Sequence, residues 1–262
     1  MSELDDIPEP PRQTEARTLG DGIAVLPAVL PVPGLGRLAV NAFVFDGTEP
    51  LLVDTGLAVL RENFVDELAT RCDPAALRWI WISHMDADHT GNLVALLEAA
   101  PRAKVLTSFL GQGKMMLAVL PVDRVQVVED GVPVRIGERE LLPLRPPYYD
   151  APETLGFLDR ASGSLFVADT FGAVLPEVPA SAEAIAPVTL RHGLAQWSAL
   201  DAPWLALARR DELQRALDAM TRLQARRLLS AHLPPAADTA ALCRHVMNAY
   251  DAATASAVGR AA

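Results

Sequence analysis

Ile82-Ser83-His84-Met85-Asp86-Ala87-Asp88-His89-Thr90-Gly91-Asn92 is the stretch whose reading decides the fold. Four metal-ligating side chains, His84, Asp86, Asp88 and His89, fall within six residues. The run Arg78–Ser83 before them is apolar and reads as a buried strand, and Asn92–Ala99 after them reads as a helix. A loop anchored on both sides can turn alternate side chains toward one spot without disturbing the core. Imidazole and carboxylate together suit zinc, iron or manganese. Singly, each Asp also fits a solvated, helix-capping turn. Two His and two Asp between an apolar strand and a helix argue for a metal site instead.

Working outward, Ile23–Leu30 and Leu38–Phe45 form a strand pair separated by the Gly/Pro segment Pro31–Gly36. Leu51–Val53 is a short buried strand ended by Asp54-Thr55-Gly56. Leu60–Arg71 has helical periodicity, with Leu60, Phe64, Val65 and Leu68 on one face. Lys104–Thr107 is strand-like and Phe109–Leu120 helical. Strand candidates follow at Arg124–Val128, Val132–Ile136 and Glu140–Leu144, then a hairpin of Leu155–Asp159 with Ser164–Ala168. Ser198–Arg226 reads as one helical stretch interrupted near Pro203, Arg227–Ser230 as a last strand and Asp238–Ala255 as a final helix. Strands alternating with helices in two halves predict an α/β sandwich, sheets inside and helices outside. Residues 1–20, acidic and Pro-rich, are expected to be a flexible arm, and 21–262 a single domain.

Half of the residues are apolar and the formal net charge is -10. The first supplies a core without staples. The second argues against a nucleic-acid groove or an anionic lipid surface, both of which need basic stripes. Cys72 and Cys243 have neither zinc-knuckle spacing nor the density of a secreted scaffold, and both are expected buried and reduced on helices. No secretory signal and no membrane-length apolar run are read, so a soluble cytoplasmic protein is the expectation.

The stretch His84-Met85-Asp86-Ala87-Asp88-His89 resembles the HxHxDH metal signature of the metallo-β-lactamase superfamily, and more closely the HxExDH form of its flavodiiron branch. Asp86 stands where that branch has Glu and the hydrolases have His. The resemblance implies a strand ending in Asp-Thr-Gly upstream, which Leu51–Gly56 matches. It also implies a bridging Asp at the end of a strand, and Asp169 follows Leu165-Phe166-Val167-Ala168. His232 follows with 62 residues between, after a short strand, as the last ligand of the family does. Asp150, with 60 residues between it and His89 and 18 between it and Asp169, takes the slot where the family shows His-x-Pro; Pro152 fits that pattern, and the alternative alignment puts Tyr149 there. The resemblance covers about Ile23 to His232 and implies a four-layer αββα sandwich holding two metal ions. One ion would take His84, Asp86, Asp150 and Asp169, the other Asp88, His89, Asp169 and His232, with His89 not a ligand in some relatives. Asp88 and Tyr149 are the candidate catalytic side chains.

Four Asp bring -4 against +4 from two divalent ions, so the pair is nearly neutral. Hard oxygen donors favour iron or manganese over zinc, which remains an option. The expectation is a di-iron or iron–manganese oxidoreductase acting on O2 or NO. The rival is a dinuclear metallohydrolase opening an ester, lactone, thioester or phosphoester, and a third reading is an oxygen sensor. No flavodoxin-like segment is read after His232, so reductive chemistry would draw electrons from a separate donor protein. The resemblance also implies a homodimer.

The remaining conspicuous residues have two readings each. Asp54 either supports the ligand imidazoles or ends a strand. Tyr148 or Tyr149 either donates a proton or hydrogen bond to the pocket or packs at a strand end. His192 either lines the pocket mouth or is a surface or capping residue, and Trp197 and Trp204 either pack in the core or cover the site entrance; His245 is read as a helix-face residue and Met115 and Met116 as core.

Overall fold

The computed structural model describes residues 9–261, and side chains through Ala252. Its strands are β1 (Arg12–Gln13), β2 (Arg17–Gly20), β3 (Ile23–Val32), β4 (Gly36–Phe45), β5 (Leu51–Val53), β6 (Trp79–Trp81), β7 (Lys104–Thr107), β8 (Val125–Val127), β9 (Val134–Ile136), β10 (Arg139–Leu144), β11 (Gly156–Asp159), β12 (Ser164–Phe166), β13 (Arg227–Ser230) and β14 (Leu233–Ala236). Its α-helices are α1 (Arg61–Ala69), α2 (Ala87–Thr90), α3 (Leu93–Ala99), α4 (Phe109–Leu117), α5 (Pro187–Asp201), α6 (Arg210–Arg222) and α7 (Thr239–Ala261). One sheet runs β1-β3-β4-β5-β6-β7-β8 with β2 also paired to β3, and the other runs β14-β13-β12-β11-β10-β9.

The ten-residue partners β3 and β4 pair from Ile23↔Phe45 to Val32↔Gly36. From β5 to β8 the strands are parallel, which requires crossovers, and α1, α3 and α4 supply them. Both faces of these strands are covered, so they read as unbroken apolar runs. Leu52, Ile80 and Val105 pack outward with Phe64, Leu68, Leu96 and Met115 of the helices. Their neighbours Leu51, Val53, Trp81 and Leu106 face inward, against Leu141, Phe157, Phe166 and Leu229 of the second sheet. On that sheet's outer side Leu165 and Leu228 meet Leu194, Leu217 and Val246 of α5, α6 and α7. Three separate cores therefore define the four layers, helix–sheet–sheet–helix, as expected.

The middle core is aromatic. The Trp81 and Phe157 rings lie 4.8 Å apart and Phe157 and Phe166 5.5 Å apart. Truncating Phe157 to Ala would cost about 3–5 kcal/mol. Arg139 ties the sheets together, pairing with buried Asp159 at 2.7 Å and donating to the carbonyls of Asp46 and Asp21. Asn41 ties them at another point, donating to the Ser230 and Leu233 carbonyls.

Several expectations need correction. Residues 9–20 are not a free arm, because β1 and β2 pair with β3 and Ala16 is buried, its N–H donating to Glu67; the rest of that expectation, residues 1–8, lies outside the described residues. The C-terminal helical stretch is broken at Pro203 as read, into α5 and α6 with a 3-10 turn at Pro203–Leu207 between them, but α5 starts eleven residues earlier than read, at Pro187. Strand β14 was not anticipated. Met115 is buried but Met116 is 63% exposed, and Cys72 lies half-buried past the end of α1. No described helix is long and apolar enough to cross a membrane.

Candidate metal centre

Three strand ends deliver the cluster. After β6 the chain turns through Ser83 and His84 into the one-turn helix α2, which carries Asp88 and His89. The turn Asp54-Thr55-Gly56 after β5 holds that helix in place. Thr55 donates to the His89 carbonyl from both its N–H and its hydroxyl, and the Asn92 side chain donates to the Thr55 carbonyl. Gly91 permits the approach, since a Cβ there would stand 2.4 Å from the Gly56 carbonyl oxygen. His232 sits between β13 and β14, and Asp169 follows β12.

The backbone around Asp169 is strained. Ala168 has φ +48° and Phe171 φ +66°, left-handed values that residues with a Cβ avoid. Such strain persists only where its surroundings over-determine it. The buried Tyr148 hydroxyl accepts from the Phe171 N–H, the Thr170 hydroxyl donates to the Tyr148 carbonyl, and the Trp197 ring donates to the Asp169 carbonyl. Asp54 is a third left-handed residue, at φ +56°.

Asp54 accepts from the Ser83 N–H and hydroxyl and from His89 Nδ1, each at 2.9 Å. With its proton given to Asp54, the Ser83 oxygen is left to accept from His84 Nδ1 at 3.1 Å. His232 Nδ1 donates to the Ala39 carbonyl at 2.7 Å. All three imidazoles are thereby held through Nδ1, which aims each Nε2 inward.

The Nε2 atoms converge on Asp169. The distances are 3.6 Å for His84, 3.2 Å for His89 and 3.2 Å for His232. Asp88 approaches His89 Nε2 at 3.5 Å and His232 Nε2 at 3.3 Å, while Asp150 lies 3.9 Å from His84 Nε2. Ligand atoms of His84, Asp86 and Asp150 lie within 4.8 Å of one another, and so do those of Asp88, His89 and His232. The structure thus brings together His84, Asp86, Asp88, His89, Asp150, Asp169 and His232. Tyr149 is half-buried at the rim, its ring 5.9 Å from Trp204 and beneath the Arg145 guanidinium.

His84 Nε2, His89 Nε2 and Asp169 Oδ1 are buried without a hydrogen bond. Buried polar atoms are almost always satisfied, so three orphans facing one point mark a place for a group that accepts lone pairs. A divalent cation does so, and the donor set suits it.

Charge is organised around Asp169. Burial alone pushes its carboxyl up, but His232, His84 and His89 override that and hold it well below the usual carboxylate range. Burial likewise disfavours charge on the imidazoles. Asp88, Asp169 and Asp54 nevertheless raise His89 well above its usual value, and Asp169 and Asp88 raise His232 to about 9. At Asp150 burial dominates and pushes the carboxyl up.

Sequence reasoning missed three participants: Ser83, the Ala39 carbonyl and Asp201. Ser83 and the Ala39 carbonyl orient imidazoles, and a Ser between apolar strand and His carries no distinctive signal. Of the two readings for the tryptophans, core or site entrance, the second fits better: Trp197 packs its ring 4.6 Å from the His232 ring, and Trp204 is 40% exposed beside Tyr149. Asp201, the last residue of α5, was not singled out; its carboxylate comes within 4.8 Å of those of Asp150 and Asp169. Burial and the charges of Asp169 and Asp150 push Asp201 up to about 8. His192 is exposed, which fits its surface reading.

Residues 35–232 match the Metallo-beta-lactamase superfamily. This chain belongs to that superfamily. Its curated relatives are flavodiiron proteins. The rubredoxin-oxygen oxidoreductase of Megalodesulfovibrio gigas is 34% identical over 100 residues, 38% of this chain and 25% of the relative. The nitric oxide reductase of Moorella thermoacetica is 26% identical over 133 residues, 50% of this chain and 33% of the relative. The chain thus spans a quarter to a third of the length of these relatives. Among solved structures, the flavodiiron protein of Giardia intestinalis superposes with a TM-score of 0.77 at 18% identity, covering 92% of this chain and 59% of that one. The Asp150 carboxylate faces His84.

Proposed function

We propose that this chain is the metal-binding unit of a di-iron or iron–manganese oxidoreductase that reduces O2 or NO. The observation that carries the reading is the set of orphaned atoms, His84 Nε2, His89 Nε2 and Asp169 Oδ1, buried and turned on one point. His84, Asp86 and Asp150 would hold one ion and Asp88, His89 and His232 the other. Asp169 would serve both, since its carboxylate approaches imidazoles of both sets. When bound, the metal pair supplies the electrons and the Lewis acidity that activate a small diatomic molecule.

The residues themselves do the rest. Asp54 and Ser83 fix the tautomers of His89 and His84, and the Ala39 carbonyl fixes that of His232, so that each Nε2 presents a lone pair. Asp150 in place of an imidazole makes one end harder and more anionic, which favours iron or manganese over zinc and a more oxidised metal. Asp88 would hold an ion; burial pushes its carboxyl up, but His89 and His232 keep it below the usual carboxylate range. Tyr149 would act as a hydrogen-bond donor to what enters. The relatives' names supply the substrate class, oxygen and nitric oxide, and the kind of donor, a separate small redox protein such as rubredoxin.

Elemental analysis and absorption spectra of protein purified without added metal, before and after exposure to air, test this reading. Two ions per chain with iron present, and a visible band that changes on oxidation, are expected. Stoichiometric zinc, no visible band, and hydrolysis of an ester or phosphoester substrate would replace it with the hydrolase reading.

A further inference from the structure

We propose that Asp201 supplies a further carboxylate oxygen to the metal centre, on the ion at the Asp150 end. This rests on the dinuclear reading above and extends the ligand set beyond the hexad, Asp150, Asp169 and His232.

Asp201 is the last residue of α5, and the last turn of that helix contains no basic residue. A helix C-terminus carries partial negative charge and favours cations, so an Asp there is misplaced unless something positive lies beside it. Its Oδ2 is buried and has no hydrogen-bond partner. Its nearest carboxylates are Asp150 and Asp169, within 4.8 Å. Among the described residues no Lys or Arg forms an ion pair with Asp86, Asp150, Asp169 or Asp201. Three carboxylates and a helix terminus therefore face one another without a Lys or Arg between them.

Crowded Asp residues alone do not make a site. Here a second observation points to an ion. His84, fully buried, aims an unpartnered Nε2 toward Asp150 and Asp169. An ion placed among His84, Asp150 and Asp169 also satisfies the orphaned Asp201 oxygen and offsets the helix terminus. Oxygen donors in that number suit manganese or iron and disfavour zinc. The two ions are then held by unlike sets, one dominated by carboxylates and the other by two imidazoles.

The test is titration of chelator-stripped protein with Mn2+, read by calorimetry and by the electron paramagnetic resonance signal of free Mn2+. The unsubstituted protein is expected to bind two ions. Asp201→Asn is expected to keep one with unchanged affinity and to weaken the other by at least the ~10-fold that losing even an orienting residue brings. Asp201→Glu, which keeps a carboxylate, is expected to retain both. Circular dichroism checks the fold of each variant, and Asp201→Ser replaces the Asn variant if that one is unfolded. Two ions bound to Asp201→Asn with unchanged affinities overturns the proposal and leaves the dinuclear reading intact. Fewer than two in the unsubstituted protein removes both.

Discussion

His89 and His232 reach the cluster with one ring nitrogen bonded to the protein and the other aimed inward, and both are buried. At the opposite end Asp86 is exposed and Asp150 half-buried, and only His84 is anchored in the core. The imidazole-rich end is thus pre-organised by Asp54 and a backbone carbonyl, whereas the carboxylate-rich end is built on a loop and a helix terminus. The first end has its geometry fixed before any ion arrives. The second presents excess negative charge, which the proposed ion would offset. Substituting around Asp169, which belongs to both, separates these contributions.

The largest effect is expected from Asp169→Asn. It removes the carboxylate shared by both ends, so both ions should be lost by elemental analysis. It also strands buried imidazoles, and the metal-free protein should lose about 3–5 kcal/mol in urea unfolding, as when one partner of a buried pair is removed. Retention of both ions would erase the distinction between the ends. Asp54→Ala should act on one end mainly. It frees His89 Nδ1, and affinity for the ion at the His89–His232 end should fall roughly 10–100-fold by calorimetry, with the Asp150 end less affected through Ser83. A loss confined to the Asp150 end would invert the comparison.

Asp150→His should make the two ends alike. Imidazole in place of carboxylate should raise the preference for Zn2+ over Mn2+ at that end by roughly tenfold, measured by competition titration. An unchanged preference would show that Asp150 is not a ligand.

Acidity gives a smaller, graded signature. His232 is raised to about 9 in the metal-free fold, from its usual value near 6.5. A raised imidazole stabilises the fold fully below its unfolded value and loses that contribution as pH rises through the folded value. Urea midpoints of stripped protein should therefore decline between about pH 6.5 and about pH 9, and His89 shifts the same way. Metal-loaded protein should lack this decline, because the ion takes the place of those protons. Trp204→Ala, at the exposed rim, should change stability by no more than about 0.5 kcal/mol and leave the metal content unchanged.

Much of this was legible before coordinates. Leu51–Val53, Lys104–Thr107 and Arg227–Ser230 are strands with the bounds read from the sequence, because each is a short apolar run closed by polar residues. The seven expected metal residues meet in space because each follows a strand end whose apolar run is easy to see. What escaped detection depends on tertiary context. β14 contains Pro234 and Pro235, which read against a strand, and it survives as the edge strand of its sheet, paired only with β13. The start of α5 at Pro187 was hidden by a Pro-rich approach, although Pro is well suited to the first turn. Asp201 follows an ordinary helical run, and only the packing of α5 over the second sheet turns it toward Asp169. The N-terminal strands are too short to show a period, and they exist because β3 offers an edge.

Anomalous diffraction from crystals grown with Fe2+ and Mn2+, collected on both sides of each metal edge, tests the central claim most directly. Two peaks per chain on opposite sides of the Asp169 carboxylate are expected, with manganese enriched on the Asp150 side. A single peak, or none within reach of Asp169, would contradict the account.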